Sequence, residues 1–162
     1  MSNNPEFKKF NSLENSYREK FIHKIREQGY ENEEYIITEK LHGANYSFTV
    51  VVEGGIAVSV IPAKRSGYIH SDEKFYNHRP VYEKYVDKVT KLALSLLKDK
   101  NMSDGIIVVY GELYGGNIQG GMAYPLEQDF AGFDISVNGQ PINKLTAFSA
   151  MFADDIPTVP VI

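Results

Sequence analysis

Apolar residues four apart at Tyr17, Phe21 and Ile25 make one stripe along a helix, with Ser12 as its N-cap and Gly29 as its stop. Residues 35–41 then read as a strand. A His-Gly break follows, and residues 46–52 read as a second strand. Gly54-Gly55 is a hairpin turn, and Ile56, Val58 and Val60 alternate along the returning strand, 56–61. The polar run 64–79 predicts a long loop. Pro80 suits the first turn of a helix, and Val81, Tyr85, Val89, Leu92 and Leu96 mark that helix as long and amphipathic. Ile-Ile-Val-Val-Tyr within 105–113 is typical of a buried strand, and Gly115, Gly116, Gly120 and Gly121 predict a loop after it. Residues 130–137 read as a strand, Asn138-Gly139 as a hairpin turn with a short strand beyond, and 145–152 as a short helix. Pro157 and Pro160 close the chain. Strands in antiparallel pairs with flanking helices predict an α+β fold. No linker or repeat divides residues 1–162, so one domain is expected.

Composition narrows the function classes. Hydrophobic residues are 43% and aromatics 12%, enough for a sizeable core. The formal charge is -4. A protein that grips nucleic acid with its whole surface is usually basic, so any such contact here is local. The absence of cysteine excludes disulfides and thiolate-bound metals and fits a reducing compartment. The polar N-terminus carries no signal peptide, and no apolar run is long enough to span a bilayer. A soluble, cytoplasmic protein is expected, without a membrane partner.

Four short segments carry candidate chemistry. In Glu39-Lys40-Leu41-His42-Gly43 a strand-end lysine stands beside a glycine that permits close backbone approach by a ligand. Lysine becomes a nucleophile only where burial or a neighbouring cation strips its proton. Alone, the segment is a weak signal and is described more simply as a solvated strand end. In Ala63-Lys64-Arg65-Ser66-Gly67 a turn presents an arginine whose planar fork suits phosphate, or a plain exposed basic turn. Val109-Tyr110-Gly111-Glu112-Leu113 embeds a carboxylate at the end of an apolar strand, where it needs a partner, a ribose hydroxyl or water. In Phe130-Ala131-Gly132-Phe133-Asp134-Ile135, Phe133 can stack on a base or pack in a core.

The order of these segments resembles the covalent nucleotidyltransferases, the polynucleotide ligases and mRNA capping enzymes. Most of those carry Lys-x-Asp-Gly; here His42 replaces the Asp, and residues 39–45 look like the RNA ligase 2 family of T-even phages and kinetoplastid RNA editing. Phe7-Lys8-Lys9-Phe10, Ser12-Leu13-Glu14-Asn15 and Lys20-Phe21-Ile22 resemble the start of the phage member. The resemblance weakens from about residue 138. It implies an ATP-grasp-like ligase adenylation domain that forms a lysine–AMP intermediate with ATP and Mg²⁺ and seals RNA ends. By matching position, Lys40 is the nucleophile. Glu39 and the Leu41 backbone lie by the adenine edge, His42 and Asn45 near phosphate and ribose, and Arg65 on phosphate. Glu112 holds the ribose and Phe133 stacks on adenine. No metal ligand is assigned.

The family's two later motifs, a Glu-Gly strand ending in Lys and a Lys-x-Lys strand, have no counterpart after Asp134. Glu53-Gly54 lies in the wrong hairpin, and Lys98-Asp99-Lys100 closes a helix. The chain therefore corresponds to the N-terminal portion of an adenylyltransferase domain, without the C-terminal domain that engages RNA. It is a fragment, a shortened nucleotide- or RNA-binding module that does not ligate, or half of a split enzyme. Self-association or a completing partner chain is expected to cover what the missing strands would.

Overall fold

The computed structural model describes residues 4–162. Its elements are α1 (Glu19–Glu27), β1 (Ala44–Glu53), β2 (Ile56–Lys64), β3 (Gly67–Tyr68), α2 (His78–Asp99), β4 (Gly105–Gly115), β5 (Gln128–Val137), β6 (Gln140–Pro141) and α3 (Lys144–Ala153). The strands form one antiparallel sheet in the order β3-β2-β1-β4-β5-β6. The fold class is α+β, as the pattern of strands and helices predicts. The β1–β2 turn needs positive φ at both Gly54 (58°) and Gly55 (76°), where glycine carries no steric cost. Asp104 Oδ1 accepts from the Gly54 N–H at 2.7 Å and ties that turn to the start of β4.

Period-two alternation gives the sheet two unlike faces. Tyr46, Phe48, Val50 and Val52 of β1 and Ile107, Val109 and Leu113 of β4 point to one face, where α2 lies. Val81, Tyr85, Val89, Leu92 and Leu96 fall on a single stripe of α2 and are buried there. Fully burying side chains of this size stabilises by about 1.5–3 kcal/mol each, before chain entropy is counted. Tyr46 Oη and His78 Nδ1 lie 3.0 Å apart within this core. Burial, with Arg79 nearby, pushes the His78 imidazole below its ordinary value, so it stays neutral in this packing.

The other face presents Asn45, Ser47 and Thr49 of β1 beside Tyr110 and Glu112 of β4. A register shift at Tyr110/Gly111 in the β4–β5 ladder leaves Phe133 without a direct partner and lets it project from the strand. α3 packs against β5, capped by Asn143, whose Oδ1 accepts from Leu145 N at 2.9 Å.

Three expectations need correction. The first helix begins at Glu19, not after Ser12, and none of its residues is fully buried. Tyr17 is 80% exposed, so the predicted stripe lacks a surface to pack on at that end, and Ser12 serves another contact. Residues 35–41 are extended, but only Thr38 forms a bridge, to Val161. The available partner is a few residues long, too short for a ladder. The run 64–79 is not all loop, since it contains β3 and the start of α2.

Candidate functional site

β1 begins at Ala44, and the turn just before it is held from three sides. Gly43 N donates to Glu112 Oε1 at 3.0 Å. His42 N donates to Tyr124 Oη at 2.9 Å. Gln119 Nε2 donates to the Gly43 carbonyl at 3.3 Å. Tyr124 is itself set by an edge contact with Tyr114, centroids 5.6 Å apart. A Cβ at Gly43 would stand 2.2 Å from the Leu113 carbonyl oxygen, so only glycine lets the turn lie against β4.

Asn45 lies directly opposite Glu112 across the β1–β4 pair, and both project from the face away from α2. Lys40 and Glu39 are exposed and Leu41 is half-buried. Glu39 takes part through its backbone, its N–H donating to the Pro160 carbonyl at 2.9 Å. The charges of Lys40 and Arg65 both act on Glu112. Burial pushes the Glu112 carboxyl up, while the Gly43 N–H, Lys40 and Arg65 pull it down, and burial wins.

The raised value has a consequence for stability. Between the ordinary glutamate value and the raised folded value, the unfolded chain has released this proton while the folded chain still holds it. The stabilisation is thus complete below the ordinary glutamate pKa and is lost as pH rises through the folded value. Replacing Glu112→Gln is expected to remove this decline. Urea midpoints measured from about pH 4 upward should fall more steeply for the wild type than for the variant; parallel curves would refute the assignment.

Arg65 lies on the turn between β2 and β3, and its Nη2 donates to Ser12 Oγ at 3.3 Å. The neighbouring Lys64 pairs with Glu73. Phe133 is half-buried and meets Phe10 edge-on, centroids 5.0 Å apart at 63°, and Phe10 also contacts Tyr110 at 5.0 Å. One N-terminal segment thereby touches both Phe133 and Arg65. Asp134 is already satisfied, by Lys144 at 3.2 Å and by the Ile135 N–H at 3.0 Å, consistent with a structural part. Beyond the aromatic contacts lies a cavity of about 300 Å³ lined by Phe7, Ser47, Thr49, Tyr68 and Ser136. None of the sequence-predicted site residues lines it.

The fold brings Lys40, Gly43, Asn45, Arg65 and Glu112 to one end of one sheet face, with Phe133 on β5 beside them. Among the described residues it does not bring the Glu39 side chain into a hydrogen bond. Among the described residues, no three His, Asp or Glu side chains converge as a metal cage. No helix among them is long and apolar enough to cross a membrane. Sequence reading missed Tyr124, Gln119, Phe10 and Ser12 as parts of the site. Tyr124 and Gln119 stand in the glycine-rich loop, whose composition predicts a loop but not its path. Phe10 falls in a segment notable only for resemblance, and Ser12 reads there as a helix cap.

The family model for RNA ligase matches residues 33–162. Mitochondrial RNA-editing ligase 2 of Trypanosoma brucei brucei is 29% identical over 113 residues, 68% of this chain and 26% of that protein. RNA-editing ligase 1 of the same organism is 30% identical over 96 residues, 58% of this chain and 20% of that protein. Among solved structures, a lysine-to-methionine mutant of Naegleria gruberi RNA ligase with AMP and Mn aligns at TM-score 0.62 and 18% identity. It covers 88% of this chain and 40% of that one. A lysine-to-alanine mutant with ATP and Mn aligns at 0.60 and 19%, covering 87% and 40%. The structural likeness speaks for the fold, the nucleotidyltransferase domain of RNA ligases. The chain spans about a quarter or less of the length of the trypanosome relatives. With four-fifths of its residues inside the family model and the ordered motif segments meeting on one sheet face, the chain belongs to the RNA ligase family.

Proposed function

We propose that this chain is the N-terminal portion of an ATP-dependent RNA ligase adenylation domain in which Lys40 takes AMP covalently. One observation carries the reading. A partly buried carboxylate, Glu112, is hydrogen-bonded to the turn that follows Lys40 and lies under the charges of both Lys40 and Arg65. A surface glutamate with no ligand to hold gains nothing from that burial.

In the proposed step the Lys40 Nζ, having lost a proton to solvent, attacks the α-phosphorus of ATP. An N–P bond forms, the P–O bond to the β-phosphate breaks, and pyrophosphate leaves with the electron pair. Such a step depends on in-line placement and neutralised charge. Arg65 supplies charge at the phosphate. Glu112 holds the ribose, joined by Asn45 and His42 near ribose and phosphate. Phe133 offers its ring to the adenine, beside the Glu39 and Leu41 backbone. Mg²⁺ commonly binds through substrate phosphates with one or two carboxylates, and the Naegleria structures with ATP or AMP contain Mn. Transfer of AMP to an RNA 5′-phosphate and sealing by a 3′-hydroxyl belong to the whole enzyme. The exposure of Lys40 favours one alternative, a module that binds nucleotide reversibly.

Intact mass after incubation with ATP and Mg²⁺ separates the two. Gain of one AMP is the expected result. ATP binding without any mass gain, in folded protein, would overturn the covalent reading for this chain and leave the reversible one.

A further inference from the structure

Residues 157–162 are tied on both sides. On one side the Gly132 N–H donates to the Pro157 carbonyl at 2.8 Å, and the Val159 N–H donates to the Gly132 carbonyl at 3.0 Å. On the other side the Glu39 N–H donates to the Pro160 carbonyl at 2.9 Å, and the Ile162 N–H donates to the Ile37 carbonyl at 2.9 Å. Gly132 forms a parallel bridge with Thr158, and Thr38 an antiparallel bridge with Val161. Six residues therefore act as a miniature central strand. One edge grips the residue before Phe133, and the other grips Ile37 and Glu39, three residues and one residue before Lys40.

The anchoring differs at its two ends. Ile156 and Val159 are buried at 2% and 3% exposure, and Gly132 sits against Met151, whose sulfur would be 2.3 Å from any Cβ there. The 157–159 half is thus fixed to β5 and α3. Val161 and Ile162 are 58% and 82% exposed, and Pro160 is exposed as well. These three residues bury little, so their backbone bonds to residues 37–39 are their main contribution. Residues 35–37 likewise bury little, with Tyr35 and Ile37 61% and 63% exposed. Without the tail, the backbone of residues 35–41 has no other hydrogen bond among the described residues, and the next anchored group is the His42 N–H on Tyr124 Oη.

We infer that residues 160–162 are a positioning element that fixes Lys40 relative to Phe133, so that an adenine stacked on Phe133 presents its α-phosphate in line with the amine. This rests on the proposed role of Lys40. The bonds are to backbone, so the effect is on placement rather than on nucleotide contact. Misplacement of a reacting group by about 1 Å can cost on the order of 100-fold in rate.

The test compares the wild type with a variant lacking residues 160–162 and with Val161→Ser, which keeps every backbone bond. At saturating ATP, the deletion should slow lysine–AMP formation by about 10- to 100-fold while ATP affinity changes far less. Val161→Ser should behave as wild type. Adduct formation by the deletion at the wild-type rate would overturn the inference and leave the role of Lys40 standing. If the wild type itself forms no adduct, the covalent reading fails, and amide hydrogen exchange then decides the positioning. Faster exchange at Glu39, Lys40 and Leu41 in the deletion, with β4 and β5 unchanged, supports it; unchanged exchange refutes it.

Discussion

Replacing Lys40→Ala should abolish AMP transfer completely while leaving the fold untouched. The side chain is exposed and belongs to no part of the core, so its removal opens no cavity. The amine is, on the proposed reading, the atom that bonds to phosphorus, and neither Arg65 nor His42 can replace it at that position. The check is intact mass after exposure to ATP and Mg²⁺, alongside a urea unfolding curve. Stability within about 0.5 kcal/mol of wild type is expected for a surface substitution of this kind. An AMP adduct on the Lys40→Ala protein would refute the assignment outright.

The second large effect is expected from a single methyl group. In Gly43→Ala the new carbon would lie 2.2 Å from the Leu113 carbonyl oxygen and 3.1 Å from Glu112 Cγ. The first of these is backbone within the centre of a sheet and cannot swing away. The turn must lift, which breaks the Gly43 N–H bond to Glu112 and carries Lys40 with it. A loss of about 1–3 kcal/mol in stability follows from such overpacking, with AMP transfer slowed on the order of 100-fold. Gly120→Ala is the matched control, because nothing lies within 4 Å of a Cβ there and its φ is not positive. Wild-type behaviour of Gly43→Ala in both assays would show that the turn does not depend on this close approach.

Where a segment's neighbours are near in sequence, its structure was legible from the residues. The Gly54-Gly55 hairpin is an example, since turn chemistry and alternation on both sides name the same element. The long helix α2 was legible because five apolar residues at helical spacing all face one sheet. Residues 35–41 were misread for the opposite reason. Their β-like composition is real, but their partner is a tail from the far end of the chain, whose few residues carry no recognisable strand pattern. The candidate site divides the same way. Lys40, Asn45, Arg65 and Glu112 stand in local motifs and were named. Tyr124, Gln119 and Ser12 make single long-range hydrogen bonds from loop or exposed positions; nothing in the immediate sequence marks Tyr124 or Gln119, and Ser12 is marked there as a helix cap rather than as a partner of Arg65.

The bond between Glu39 and Pro160 closes a loop of about three-quarters of the chain. Loops of that size carry the largest closure entropy, and contacts across them form late. The β1–β2 hairpin, by contrast, closes over two residues. During synthesis the hairpin can form as soon as it emerges, with the segment before it still unpaired. Only when residues 157–162 have left the ribosome can the lysine segment acquire its partner. The order of folding thus runs from scaffold to reactive end, and a nascent chain would complete its sheet before it could hold Lys40 in place.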